Sequence, residues 1–278
     1  VNGVTYSGIT ANPYTIKVNP TGTTTYTLSY VSDANGCVGT FSGSAVVTVN
    51  PLPVVTVSSN SPKCVGETLN LYATGTGMSY QWSGPNGFTS TAQNPVITDV
   101  KLVNSGVYYV TVTNIATGCK NYFNTTVVIN PLPVAIATAY PIELCVGEEF
   151  CLSGHNSTSA AGITSYYWSG PNGFTYAKSD TCIASATLAM SGVYYLTVGD
   201  ANGCVNDTMV TVTVRPLPVA AISGDTEICV GECTQLIATG GVTYLWSNAM
   251  TNDTINVCPT DTTTYYVTVT NQYGCTDT

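Results

Sequence analysis

The stretch GVYYVTVTN (Gly106–Asn114) alternates with a period of two and is built from Val, Tyr and Thr, the residues of a pleated strand. It returns as TTTYYVTVTN (Thr262–Asn271), and no segment between such stretches carries apolar residues at helical spacing. Outward from it the chain repeats itself. YQWSGPNGFT (Tyr80–Thr89) comes back as YYWSGPNGFT (Tyr166–Thr175), while Trp246 recurs without the GPNGF turn. The Trp therefore reads as core wherever the unit is built, and the turn as its variable part. If an aromatic of that turn meets a partner, it is Phe88 or Phe174.

Three linkers punctuate the chain: VNPLPV (Val49–Val54), INPLPV (Ile129–Val134) and VRPLPV (Val214–Val219). Two prolines in each deny backbone donors and stiffen the segment. After each linker come CVGE (Cys64, Cys145, Cys229), a Trp (Trp82, Trp168, Trp246), a Tyr-Tyr strand and a Gly-Cys pair (Cys119, Cys204, Cys275). SDANGC (Ser32–Cys37) and GDANGC (Gly199–Cys204) are hairpin turns, with Asn-Gly supplying positive φ. About seven short strands per unit of this size describe an antiparallel β-sandwich. The expected organisation is a partial repeat over 1–50, complete repeats over 51–130 and 131–215, and a repeat over 216–278 without its last strand. The chain starts in mid-pattern, which reads as a segment of a longer protein.

Composition limits the function. Only 8% of residues are charged, against roughly a quarter in ordinary domains. Net charge is −9 with six basic residues, so no cationic stripe exists to neutralise phosphates and nucleic acid is not an expected partner. No apolar run approaches the roughly 20 residues of a membrane span. Eleven cysteines without metal-type spacing point to disulfides and an extracellular setting.

NSGVYYV (Asn104–Val110) resembles the corner and following strand of immunoglobulin domains. On that alignment Tyr108 is the corner tyrosine and Val110 stands where the usual cysteine would be. GETLNLYA (Gly66–Ala73) is then the second strand, B, with Ala73 in place of the partner cysteine, and Trp82 is the core tryptophan of strand C. The resemblance implies tandem immunoglobulin-like sandwiches without the standard bridge between sheets.

Cysteines occur elsewhere. Cys151 and Cys233 lie early on strand B, and Cys182 and Cys258 on its antiparallel neighbour, strand E. Cys233 is two residues nearer the start of B than Cys151, and Cys258 correspondingly nearer the end of E than Cys182. An antiparallel register demands that matched shift, so the expected bridges are Cys151–Cys182 and Cys233–Cys258. The second repeat holds Thr68, Asn70 and residues near Val96 at these places, and Asn19 stands where Cys258 does. For the CVGE and GC cysteines two schemes stay open. Within repeats they pair as Cys64–Cys119, Cys145–Cys204 and Cys229–Cys275, leaving Cys37 unpaired. Between repeats they pair as Cys64–Cys204 and Cys145–Cys275. Spacing favours the first. The second follows from topology, since CVGE and GC lie at opposite poles and a disulfide needs Cα atoms within about 7 Å.

Little points to chemistry. His155, the single histidine, sits in a Ser-rich loop, SGHNSTS. No nucleophile motif, phosphate loop or zinc motif is present, and no catalytic residue, metal ligand or cofactor is assigned. Glu67, Glu148 and Glu232 of CVGE read as solvated turn residues. Asp33 and Asp200 have too few oxygens around them for a Ca²⁺ site. Thr208, Thr254 and Thr262 follow Asp, which resembles the O-glycosylation motif of gliding bacteria, and Asn124, Asn156, Asn206 and Asn252 sit in N-x-Thr sequons.

The run PLPV, CVGE, YxWSGPNGF, SGVYYVTV, GC resembles the immunoglobulin-like and PKD-like repeats of very large surface proteins of gliding, type IX-secreting bacteria. The resemblance covers the whole chain and implies cell-surface export in adhesins or filaments. It carries over no catalytic residue. The expected function is a structural segment of an extracellular adhesin stalk or surface filament, not an enzyme. Its expected partners are neighbouring repeats, other copies in a filament, and a surface glycan. The second reading is a carbohydrate- or ligand-binding module of a secreted protein, which requires exposed aromatics clustered on one face of each repeat.

Overall fold

The computed structural model describes residues 1–278, and the chain divides into two compact units, Val1–Asn130 and Pro131–Thr278. In the first unit, strands Thr24–Thr27 and Ser44–Val47 pair antiparallel. A complete sandwich follows. One sheet orders Val57–Ser59, Leu69–Ala73 and Val96–Ile97. The other orders Lys120–Val127, Gly106–Asn114, Met78–Ser83 and Thr89–Ser90. The period-two pattern places Leu69, Leu71 and Ala73 of one sheet against Trp82, Tyr108, Val110 and Val112 of the other, none more than 3% exposed. Their chain neighbours Tyr72 and Tyr109 face outward.

The second unit holds two sandwiches. In the first, Thr138–Tyr140, Phe150–Ser153 and Asp180–Ile183 form one sheet. Glu143–Cys145, Val205–Arg215, Gly192–Asp200, Ile163–Ser169 and Thr175–Tyr176 form the other, with Trp168 and Tyr194 fully buried. In the second, Ala221–Ser223, Thr234–Thr239 and Thr254–Val257 face Thr243–Trp246, Val267–Thr270 and Thr276–Asp277 around Trp246. Tandem immunoglobulin-like antiparallel β-sandwiches therefore make up the chain.

The GPNGF turn belongs to the framework. Tyr108 donates its hydroxyl hydrogen to Asn104 O at 2.9 Å, and Tyr194 does the same to Met190 O at 2.9 Å, which closes a tyrosine corner. Phe88 packs edge-on to Tyr108 and Phe174 edge-on to Tyr194, both with centroids at 5.4 Å. These two phenylalanines, the turn's candidate partner-facing aromatics, are thus packed against the cores. Gly84 and Gly170 lie flat on the tyrosine rings. A Cβ on Gly170 would fall 2.5 Å from Tyr194 Cδ1, and the ring is tethered at its hydroxyl and cannot retreat. Gly170→Ala is expected to cost about 1–3 kcal/mol by overpacking, read as a lower urea midpoint at unchanged slope. A loss under about 0.5 kcal/mol would mean that the corner tolerates displacement.

Candidate functional site

The most elaborated polar cluster is the joint between the two sandwiches of the second unit. Glu143–Cys145 pairs in parallel with Thr213–Arg215, the end of the last strand, putting Cys145 beside Arg215. The Cys145 sulfur is bonded to Cys275, in the hairpin turn of the next sandwich, with Cα atoms 5.6 Å apart. Around this bridge Arg215 contacts Glu143 at 3.2 Å and stacks over the Tyr273 ring at 4.4 Å. Asn271 Nδ2 donates to Pro216 O at 2.9 Å, while its Oδ1 accepts the Tyr273 and Cys275 amides. Two consecutive linker residues are therefore held beside the bridge, Arg215 by stacking on Tyr273 and Pro216 by the Asn271 side-chain amide.

This arrangement corrects the pairing within repeats at Cys145, whose partner is not Cys204. Cys119 and Cys229, which that scheme also placed in bridges, are free thiols, as is Cys37. The cause is topological: the CVGE turn and the GC turn of one sandwich lie at opposite poles. Cys64 and Cys204 are each disulfide-bonded. Cys151 stands directly opposite Cys182 in the strand register and is bonded to it, and Cys233 is bonded to Cys258. Oxidised cysteines in this number belong to an extracellular or secreted chain.

The recurring Glu of CVGE has a definite task. Glu67 Oε2 accepts the Cys64 amide at 2.6 Å, Glu148 the Cys145 amide at 2.6 Å, and Glu232 the Cys229 amide at 3.3 Å, fixing the cysteine backbone. The bond from the Cys64 amide is the main reason that the Glu67 carboxyl titrates below its ordinary 4.5; Lys63 at 3.2 Å adds to it and slight burial opposes it. A depressed folded-state value contributes stability above pH 4.5 that disappears as pH falls through the folded value. Glu67→Gln is thus expected to lose less than about 1 kcal/mol at pH 7, because the pair is exposed, and nothing in strong acid, where the carboxyl is protonated in the folded and unfolded chain alike. Parallel urea titrations at the two pH values check this; an equal loss at both would detach the effect from the carboxylate.

The other candidates are structural. Ser153, His155 and Asp180 meet at the surface, with Ser153 Oγ 2.8 Å and Asp180 Oδ1 3.3 Å from His155 Nδ1. The Ser153 hydroxyl donates to Asp180 itself, so the imidazole does not stand between nucleophile and acid as acyl-transfer chemistry requires. Burial pushes Asp180 upward, but hydrogen bonds from Ser153, Ser179 and His155 and the nearby imidazole outweigh it and hold the carboxyl low, a poor base. Glu149, Cys151 and Cys182 converge, but both sulfurs are spent in their mutual bridge. Asp33 and Asp200 accept the amides of Cys37 and Cys204 and hold their turns. Thr262 is exposed, Thr208 and Thr254 are half-buried, and Asn206 donates to Pro133 O.

One surface pattern escaped the sequence reading. Tyr109, Tyr195 and Tyr266, at equivalent strand positions, are 56%, 49% and 62% exposed. Tyr109 lies opposite Ser83 and Tyr195 opposite Ser169, while Tyr266 bonds Ser247, so each sits beside the Ser that follows the core Trp.

No family model matches the chain, and no curated protein does. Solved structures resembling it are multi-domain immunoglobulin-like proteins. Titin domains I67–I69 (an E-to-A variant) align at 13% identity over 80% of this chain and 96% of that one, with a TM-score of 0.40. Three N-terminal domains of the bacteriophage RB49 outer capsid protein Hoc align at 16% over 79% and 84%, TM-score 0.31. An amphioxus IgVJ-C2 molecule aligns at 18% over 55% and 99%, TM-score 0.28.

Proposed function

We propose that the chain is a structural segment of an extracellular stalk or surface filament, of the kind found in the adhesins of gliding, type IX-secreting bacteria, with repeats over 1–50, 51–130, 131–215 and 216–278. The observation that carries this reading is the Cys145–Cys275 bridge, which spans 130 residues and two sandwiches. Tension entering before Cys145 and leaving after Cys275 crosses by the sulfur–sulfur bond. The sandwich strands between them are bypassed and feel no pulling force. A binding domain has no use for such a bypass, whereas a spacer under load keeps its length because of it. Low charge and Pro-stiffened linkers suit the same task.

Single-molecule pulling on the intact chain tests it. With the bridge oxidised, no release of the roughly 450 Å stored between the two cysteines is expected, at about 3.5 Å per residue. With dithiothreitol, which opens every bridge, that length is expected to appear, and in Cys145→Ser the part of it outside the closed Cys151–Cys182 and Cys233–Cys258 loops. Equal contour gains in both conditions would remove the stalk reading.

The repeated outward Tyr109, Tyr195 and Tyr266 favour a second reading, a glycan-binding module in which rings stack on sugar faces. Glycan-array retention of the whole chain, abolished by the triple Tyr→Ala variant without a change in melting temperature, would select it. Absence of retention leaves the stalk.

A further inference from the structure

The outward tyrosine of each complete sandwich has a second ring beside it. On the 51–130 sandwich, Tyr109 stands between Ser83 and Asn124 on the flanking strands, and in the next row Thr111 stands between Gln81 and Tyr122. Tyr122 is therefore the diagonal neighbour of Tyr109 on the same face, and it is 72% exposed. On the 131–215 sandwich, Tyr195 stands between Ser169 and Met209, and Thr197 between Tyr167 and Asp207. Tyr167, 50% exposed, is the diagonal neighbour of Tyr195. Period-two alternation sets both second rings outward: Tyr122 is followed by Phe123, which packs on its core, and Tyr167 by the buried Trp168. Diagonal partners on a sheet lie about 7–8 Å apart, within the reach of one extended ligand.

Shape, charge and chemistry select the occupant. The rings stand on a sheet face and not in a cleft, which suits a polymer lying across it, since small ligands bind in concave pockets. The six positions of the first face carry no charge, and those of the second carry only Asp207. A chain of net charge −9 repels an acidic polymer. Bases also stack on aromatic rings, but six basic residues cannot neutralise the phosphates that accompany them. A tyrosine face matches the flat C–H face of a pyranose whose hydroxyls are equatorial. Those hydroxyls stay at the edge of the sugar, where amides such as Gln81 and Asn124 bond them.

We infer that the faces carrying Tyr109 with Tyr122 and Tyr167 with Tyr195 are two platforms for one class of ligand, a neutral β-linked glucose polymer. Each ring stacks on a sugar, and the hydroxyls and amides beside it bond the sugar's edge. One ring holds one sugar, whereas two diagonal rings also fix the direction of the polymer across the strands. The inference rests on the glycan-binding reading and adds to it the ligand class and the second ring of each site.

The whole chain is run on native gels containing hydroxyethylcellulose or mixed-linkage β-glucan, with carboxymethylcellulose as the same backbone made acidic. Retardation by both neutral polymers and none by carboxymethylcellulose is expected. Tyr122→Ala and Tyr167→Ala each about halve the apparent affinity, because each disables one of two platforms, and the double variant lowers it at least about tenfold. Tyr72→Ala, an outward ring on the opposite sheet, keeps full retardation, and all these variants keep the parent melting temperature because the rings are exposed. Full retardation of the double variant, or equal retardation by carboxymethylcellulose, would overturn the two-ring platform and leave glycan binding through Tyr109, Tyr195 and Tyr266 standing. Retardation by neither neutral polymer would overturn the inference as well, and retention of the chain on the glycan array would then show that the broader reading survives it. A change of oligomeric state in the double variant, read by light scattering without retardation of the parent, would assign the faces to a second copy instead.

Discussion

Trp168→Ala is expected to lower stability by about 3–5 kcal/mol, the largest effect of any single substitution in the chain. Its side chain is fully buried between the sheets, and its indole N–H donates to Ser179 O at 3.2 Å, so truncation opens a cavity and strands a carbonyl together. The bridge Cys151–Cys182 limits how far strands can collapse into the space, which keeps the cost high. Urea unfolding followed by near-ultraviolet circular dichroism reads the loss. Tyr195→Ala, on the outer face of the same sheet, is the control and is expected to stay within about 0.5 kcal/mol. A loss below about 1 kcal/mol at Trp168 would contradict a core role.

The second large effect belongs to the joint. Cys145→Ser with Cys275→Ser is expected to remove about 2–4 kcal/mol, chiefly because the unfolded chain regains the freedom of a long loop. The sandwich after Pro216 is expected to suffer most, since its core is the small cluster around Trp246, Val267 and Val269. Calorimetry should then split one transition into two, the lower one assigned to that sandwich. An unchanged single transition would show that Arg215, Tyr273 and Asn271 couple the sandwiches without the bridge.

Much of the fold could be read directly from residues. Alternation in GVYYVTVTN and the return of Trp82 as Trp168 and Trp246 suffice for stacked sheets, because a strand has only two faces and a large indole needs both sheets around it. The matched displacement of Cys233 and Cys258 relative to Cys151 and Cys182 carries register, since antiparallel pairing keeps the sum of partner numbers constant; Thr234 accordingly faces Val257. The CVGE and GC pairing was undetermined because regular spacing describes order along the chain, not position at one pole or the other. The Glu of CVGE is exposed, as a solvated turn residue is, but its acceptor task involves a backbone amide, which no side-chain pattern records. Phe88 and Phe174 looked available because a Pro-Asn-Gly turn usually sits at the surface. Here it folds back onto the tyrosine corner.

The sandwich from Val57 to Asn130 differs from its neighbours in two ways. Its strands Leu69–Ala73 and Val96–Ile97 pair without a bridge, and the buried Trp82 indole N–H has no acceptor, whereas Trp246 donates to Asn252 O. On heating, the chain therefore has a designated fuse. This sandwich is expected to open first, since no disulfide ties its strand Leu69–Ala73 to the neighbouring strand of the same sheet. Re-pairing those two strands also requires no disulfide to be re-formed between them.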